Sequence, residues 1–274
     1  MAVAASKKRP SGGVKSRNVV AAARGKSARS SSKHSFTELL KGLLPAIAIF
    51  LFIRTFLIEA YRIPSGSMEP TLLVGDFLFV NKLAYGPHIP FTDYNLPGYA
   101  TPRRGDVVIY ESPSQANLPV EYQLADLTPT VVKRIVGLAG DTLYMRDGLL
   151  YVNGIAQRQG YGVGEKPEGW VDAPDPSFEW QKRVGLRRSR FGAAPAQPTH
   201  DNWGPFVVPA DHFFSMGDNR YNSIDARYYG FVPRENIRGR PLFVYYSHDC
   251  AESGTVPLCF VTTVRWDRIG HRIR

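Results

Sequence analysis

Thr142-Leu143-Tyr144-Met145-Arg146-Asp147-Gly148-Leu149-Leu150-Tyr151-Val152 is the stretch that decides the fold. Two short apolar and aromatic runs, Thr142–Met145 and Leu149–Val152, flank an Asp-Gly pair of the kind that supplies the positive φ angles of a tight hairpin turn. Working outward, similar runs appear at Phe77–Asn81, Asp106–Tyr110, Val131–Leu138, Phe213–Met216 and Leu242–Tyr246. Each is strand-length and rich in β-branched or aromatic residues. After residue 60 there is no long stretch of 3.6-residue periodicity, and 21 prolines and 25 glycines punctuate the chain. These features predict an all-β domain, an antiparallel barrel-like body over residues 60–274. The segment from about 157 to 205 is weakly periodic and rich in Gly, Pro, Trp and charge, so it is expected as an insertion or cap on that body.

Upstream the character changes. Residues 39–60, LLKGLLPAIAIFLFIRTFLIEA, are dense in Leu, Ile and Phe. Only residues 42–53 lie between Lys41 and Arg54, but allowing Arg54 inside extends the run to Ile58 and gives about 25 Å of helix, enough to cross a bilayer with snorkelling ends. The sequence thus predicts one N-terminal transmembrane helix over 39–59. A buried soluble helix is the alternative. A cleavable export signal fits less well, because the basic leader is long and no small-x-small site closely follows the apolar run. The formal net charge of +10 is concentrated in residues 1–34, which hold nine Lys or Arg and no acid. Residues 1–38 therefore read as a disordered basic tail, which by the positive-inside rule lies in the cytoplasm, with everything after residue 60 outside. The rest is nearly neutral, which argues against a nucleic-acid-binding face.

Cys250 and Cys259 are the only cysteines and cannot build a zinc site. Outside the cytoplasm they could close a loop as a disulfide; inside it they would be inert thiols. No metal and no cofactor is predicted.

Three stretches carry chemistry. Ile63-Pro64-Ser65-Gly66-Ser67-Met68-Glu69-Pro70-Thr71-Leu72 follows the apolar run; its prolines exclude a helix, and the rigid loop can present a hydroxyl. In Val131-Val132-Lys133-Arg134-Ile135-Val136-Gly137-Leu138, strand alternation puts Lys133 on the same face as Val131 and Ile135. An amine there is desolvated and its pKa falls, as a general base near neutral pH requires. Met216 to Pro233 is a polar loop of Asp, Asn, Ser and Arg whose spacing does not fit an EF-hand. Of the six histidines none lies in HExxH or beside a Gly-x-Ser-x-Gly elbow, and His212 reads as a core or edge residue.

In this order, behind an N-terminal apolar run, the three stretches resemble the type I signal peptidases, the bacterial leader peptidase family. The SGSM core with Pro70-Thr71-Leu72 resembles the family's nucleophile box, Arg104-Gly105-Asp106-Val107-Val108 its second box, Lys133-Arg134 with Gly137-Leu138 and Gly140-Asp141 its base box, and Gly217 to Arg227 its final signature. Tyr221, Ala226 and Ala139 depart from the usual Asp, Ser and Pro. The resemblance implies a membrane-bound serine endopeptidase that removes signal peptides from exported preproteins after a small-x-small motif. Ser67 would be its nucleophile and Lys133 its base, with Ser65 and the Ser67 amide forming the oxyanion hole. Ser223 would orient the Lys133 amine, and Asp225 with Arg227, and Asp218 with Arg134, would form structural ion pairs. Ile63, Pro64, Met68, Leu72 and Val132 are the expected substrate-binding residues, with the peptide extended along Arg62–Pro64 and Thr130–Val132. The expected partners are signal peptides and the lipid bilayer, and the expected location is the inner or plasma membrane.

Other readings stay open. A Ser/Lys processing peptidase for pilus or conjugation proteins fits the same residues. Self-cleaving repressors carry a DNA-binding helix-turn-helix that is not found here. A non-catalytic membrane-tethered β-domain would use the serine-bearing loops as mere turns.

Overall fold

A computed structural model describes residues 31–92, 94–116, 118, 126–158, 166–250 and 258–273, with side chains from Glu38 onward. It divides the chain into two units, residues 1–47 and 48–274. Helix α1 (Ser31–Phe52) continues as a π-turn, Ile53–Leu57. Glu38–Leu57 is apolar enough to be a candidate membrane span, with a mean hydropathy of 1.9 and none of it buried. The helix starts eight residues before Leu39, inside the expected disordered tail: once a long apolar helix is nucleated, adding polar residues costs little. The first thirty residues of that tail lie outside the described residues.

The remaining elements are the strands β1 (Ile58–Arg62), β2 (Asp76–Asn81), β3 (Val107–Glu111), β4 (Thr130–Leu138), β5 (Thr142–Arg146), β6 (Leu149–Val152) and β7 (Ile155–Ala156), helix α2 (Glu179–Val184), β8 (Trp203–Val207), β9 (His212–Met216), helix α3 (Ala226–Tyr229), β10 (Val232–Pro233), β11 (Ile237–Ser247) and helix α4 (Cys259–Thr262). They form a seven-stranded sheet in the order β1-β2-β11-β3-β4-β9-β10 and a four-stranded sheet in the order β7-β6-β5-β8. Every pairing is antiparallel, so the all-β expectation holds. The hairpin forms as read: Arg146 faces Leu149, and Asp147 and Gly148 take φ of 50° and 77°, the two positive angles of a type I′ turn.

A core of Val136, Phe214 and Met216 from the large sheet packs against Leu143, Met145, Leu150, Val152, Trp203 and Phe206 from the small one. A second core, of Leu78, Val80, Val107, Ile109 and Val244, sits beneath the loop that follows β1 and takes in Ile63, Met68 and Leu72. These two cores fix the backbone on both sides of the polar loops. Cys250 and Cys259 are joined in a disulfide, with Cα atoms 5.4 Å apart.

Four strands stand where none was expected, β1, β8 and the two-residue β7 and β10. β1 begins at Ile58, so the last two residues of the expected anchor belong to the sheet. β8 ends the segment read as a cap, and its Trp203 and Phe206 are wholly buried.

Candidate active site

The loop after β1 is turned by two prolines and ends in a single 3-10 turn, Gly66–Met68. Met68 is anchored in the core, while Ser67 stands half-exposed at the turn's crest. The signature loop clamps this turn. The Asn219 N–H donates to the Ser67 carbonyl at 3.1 Å, and Asn219 Nδ2 donates to the Gly66 carbonyl at 3.1 Å. Gly217 lies so close that a Cβ there would stand 2.5 Å from the Ser67 carbonyl oxygen and 2.3 Å from Ser223 Oγ.

Across the cleft, Lys133 comes from β4 and is almost fully buried. Its Nζ lies 2.7 Å from Ser67 Oγ. Burial pushes the amine down to about 8, although the Asp225 carboxylate works against that shift; the Arg227 guanidinium adds to the lowering. Such an amine is largely able to accept a proton in mildly alkaline solution, and the hydroxyl is in position to give one.

Buried ion pairs frame the dyad. Arg134 grips Asp218 with two parallel bonds, Nε to Oδ1 at 2.8 Å and Nη2 to Oδ2 at 2.7 Å, and Thr71 Oγ1 donates to the same carboxylate at 2.6 Å. Asp225 and Arg227 are both wholly inaccessible, with Nη2 2.8 Å from Oδ2. Burial alone would raise the Asp225 carboxyl, but the Arg227 charge, its hydrogen bonds and the Gly217 N–H outweigh this and bring it down to about 2.

Ser67 opens onto a cleft of about 570 Å³ walled by Tyr61, Ile63, Pro64, Met68, Val131, Val132 and Ile224. Among the described residues, two unpaired backbone edges border it. β1 has only β2 as a neighbour, and β4 pairs with β3 over Thr130–Arg134 but meets β9 only from Arg134 onward. Thr130–Lys133 therefore offers free main-chain groups to an extended peptide. Ser65 also lines the cleft and is exposed, and neither its hydroxyl nor the Ser67 N–H has a partner among the described residues.

A family model described as "Signal peptidase, peptidase S26" matches residues 36–246. The chain belongs to the signal peptidase family, peptidase S26. Among its relatives is a signal peptidase I of Pseudomonas aeruginosa, 36% identical over 80% of this chain and 76% of that protein. A signal peptidase I of Pseudomonas fluorescens is 39% identical over 77% of this chain and 72% of the relative. A crystal structure of a signal peptidase I from Enterococcus faecalis V583 aligns with 51% of this chain and 96% of its own, at 26% identity and a TM-score of 0.31.

Within this family member the structure brings Ser65, Ser67, Lys133, Ser223, Ile63, Pro64, Met68 and Val132 to one cleft. Two expectations need correction. Leu72 is fully buried in the core beneath the loop and does not wall the cleft, because the backbone bond from the Leu72 N–H to the Met68 carbonyl turns it inward. Among the described residues Ser223 makes no bond to the Lys133 amine; its hydroxyl donates to Asp225 Oδ2 at 2.9 Å, so it lies beside the carboxylate whose charge bears on the amine. Sequence reasoning missed Tyr61, Gln115, Asn222 and Ile224 as lining residues. It also missed Asn219, although an Asn two residues past the Gly of a polar loop is a common clamp for a neighbouring turn.

Proposed function

We propose that this chain is a membrane-bound serine endopeptidase that removes N-terminal signal peptides from exported preproteins by a Ser/Lys dyad. The observation that carries the reading is the 2.7 Å contact between Lys133 Nζ and Ser67 Oγ, made by a lysine with almost no exposure. In the reaction, neutral Lys133 takes the Ser67 proton as Oγ attacks the scissile carbonyl, and the ammonium then gives that proton to the leaving amine. Water hydrolyses the acyl-enzyme with Lys133 again as base. The Ser67 N–H and Ser65 hydroxyl, both without a partner among the described residues, stabilise the oxyanion. Ser223 acts through Asp225, holding the carboxylate whose charge bears on the amine.

The substrate lies extended between the free edges of β1 and β4. Ile63, Pro64, Met68 and Val132 present a shallow apolar wall that suits small side chains. Three features support attachment at the outer face of the plasma membrane: the apolar helix, the basic leader before it, and a disulfide of the kind that persists in oxidising compartments. Ser67 follows the end of the candidate span by only ten residues, which favours cleavage at the lipid surface.

Incubating the detergent-solubilised protein with a radiolabelled preprotein tests the reading. Release of a mature product cut after a small-x-small motif is expected from the wild type and not from Ser67→Ala.

A further inference from the structure

Behind the Asp225–Arg227 ion pair, whose charges bear on the Lys133 amine, lies a second buried constellation. His200 and Asp201, at the end of the inserted segment, are almost wholly buried. His200 Nδ1 lies 2.8 Å from Asp201 Oδ1, and its Nε2 meets both Arg227 Nη1 and, at 2.9 Å, the carbonyl of Arg220. The last two contacts make opposite demands, since the carbonyl asks for an N–H and the guanidinium asks for a lone pair. Arg227 Nη2 already donates to that carbonyl at 2.6 Å, while Arg227 Nη1 can only donate and, among the described residues, bonds nothing but His200. The ring is therefore the neutral Nδ1–H tautomer, donating to Asp201 and accepting from Arg227.

We propose that His200 is a positioning residue for the catalytic base, acting by fixing the Arg227 guanidinium against Asp225. The path is short: Arg227 Nε and Nη2 hold the two Asp225 oxygens at 2.9 and 2.8 Å, and Asp225 receives the Ser223 hydroxyl and the Gly217 N–H, each at 2.9 Å. Asp225 and Arg227 pull the Lys133 amine in opposite directions, so their separation sets how readily it gives up its proton. The charged and titratable groups around the ring are Arg227, Arg220, Asp201 and Tyr221, whose ring centroid lies 4.8 Å from that of His200. Asp201 in turn carries Lys166 at 3.0 Å, Trp170 Nε1 at 3.2 Å and the Tyr221 hydroxyl, and its N–H donates to Asp172 at 3.0 Å. Burial first, and the Arg227 charge second, hold the ring below the ordinary histidine range, in keeping with a neutral acceptor.

The inference rests on Lys133 being the base, which Lys133→Met checks separately: activity in that variant removes the base whatever His200 does. The test uses the full-length protein in detergent with a fluorogenic peptide carrying an Ala-x-Ala site, and follows kcat against pH. His200→Asn keeps a donor for Asp201 but leaves Arg227 Nη1 without an acceptor, while His200→Gln restores one. With Arg227 loosened, Asp225 is less neutralised and Lys133 holds its proton harder. The acid limb of His200→Asn then moves up by about one pH unit, with roughly tenfold less activity at neutral pH that returns in alkaline solution. His200→Gln keeps the wild-type limb. An unshifted limb in His200→Asn, or a loss equal at every pH, overturns the proposal.

Discussion

At Lys133, on the proposed function, two demands compete, since a strand in a packed sheet wants an apolar side chain and a hydroxyl nucleophile wants a base. Burial reconciles them by making the charged form costly. The consequence is a pH dependence with a definite sign. The folded-state pKa is lowered from 10.5 to about 8, so the amine is mostly protonated and inactive below that value and free above it. We expect kcat for a small-x-small peptide to climb roughly tenfold per pH unit below about pH 8 and to level off above it, a profile measured by initial rates. Lys133→Met should abolish cleavage yet unfold at or above the wild-type temperature, since it removes a desolvated amine without opening a cavity. Ser65→Ala should lower kcat about 10²–10³-fold with little change in KM, the cost of one oxyanion donor. Lys133 was legible because strand alternation puts it on an apolar face. The partner of Ser223 was not, because spacing along a loop does not say which of two nearby acceptors a hydroxyl turns to.

At the scale of elements, the signature loop is held to the nucleophile turn by close backbone approach and by charge. Gly217→Ala would drive a Cβ into the Ser67 carbonyl oxygen. We expect it to cut kcat by more than 10² while the far-ultraviolet circular dichroism stays native, because a displacement of about 1 Å at the nucleophile is enough for that loss. Asp225→Asn leaves the inaccessible Arg227 without its counter-charge and should cost about 3–5 kcal/mol, read as a fall in unfolding free energy by urea titration. The elements that were missed each have a cause. β1, Ile58-Glu59-Ala60-Tyr61-Arg62, is short and directly abuts the apolar helix, so only its pairing with β2 marks it as a strand. Gly204 and Pro205 interrupt β8, but that strand is the outer one of its sheet, where a missing N–H is tolerated. Pro241 likewise made β11 look short, although it sits beside a register shift where the ladder is already broken.

For the molecule as a whole, a β-body, an apolar helix and a basic leader divide the labour between chemistry and placement. A protein beginning at Ile58 should keep its kcat on a soluble peptide within a few-fold and lose most of its advantage on a preprotein held in liposomes, since attachment raises the local concentration of the site at the bilayer. The antiparallel body could be read from the chain because it depends on local pattern, while the pairing of Ser67 with Lys133 was implied by the family resemblance and is supported by their 2.7 Å contact. The edges at Arg62–Pro64 and Thr130–Val132 were also expected from the chain, but the buried path through His200 was not, because it arises where distant segments meet. Incubating the purified full-length protein with a radiolabelled preprotein and sequencing the product's N-terminus decides whether Ser67 and Lys133 cut signal peptides. A single cut after a small-x-small motif is expected from the wild type and none from Ser67→Ala or Lys133→Met; an uncut preprotein, or equal cleavage by Lys133→Met, overturns the proposed dyad.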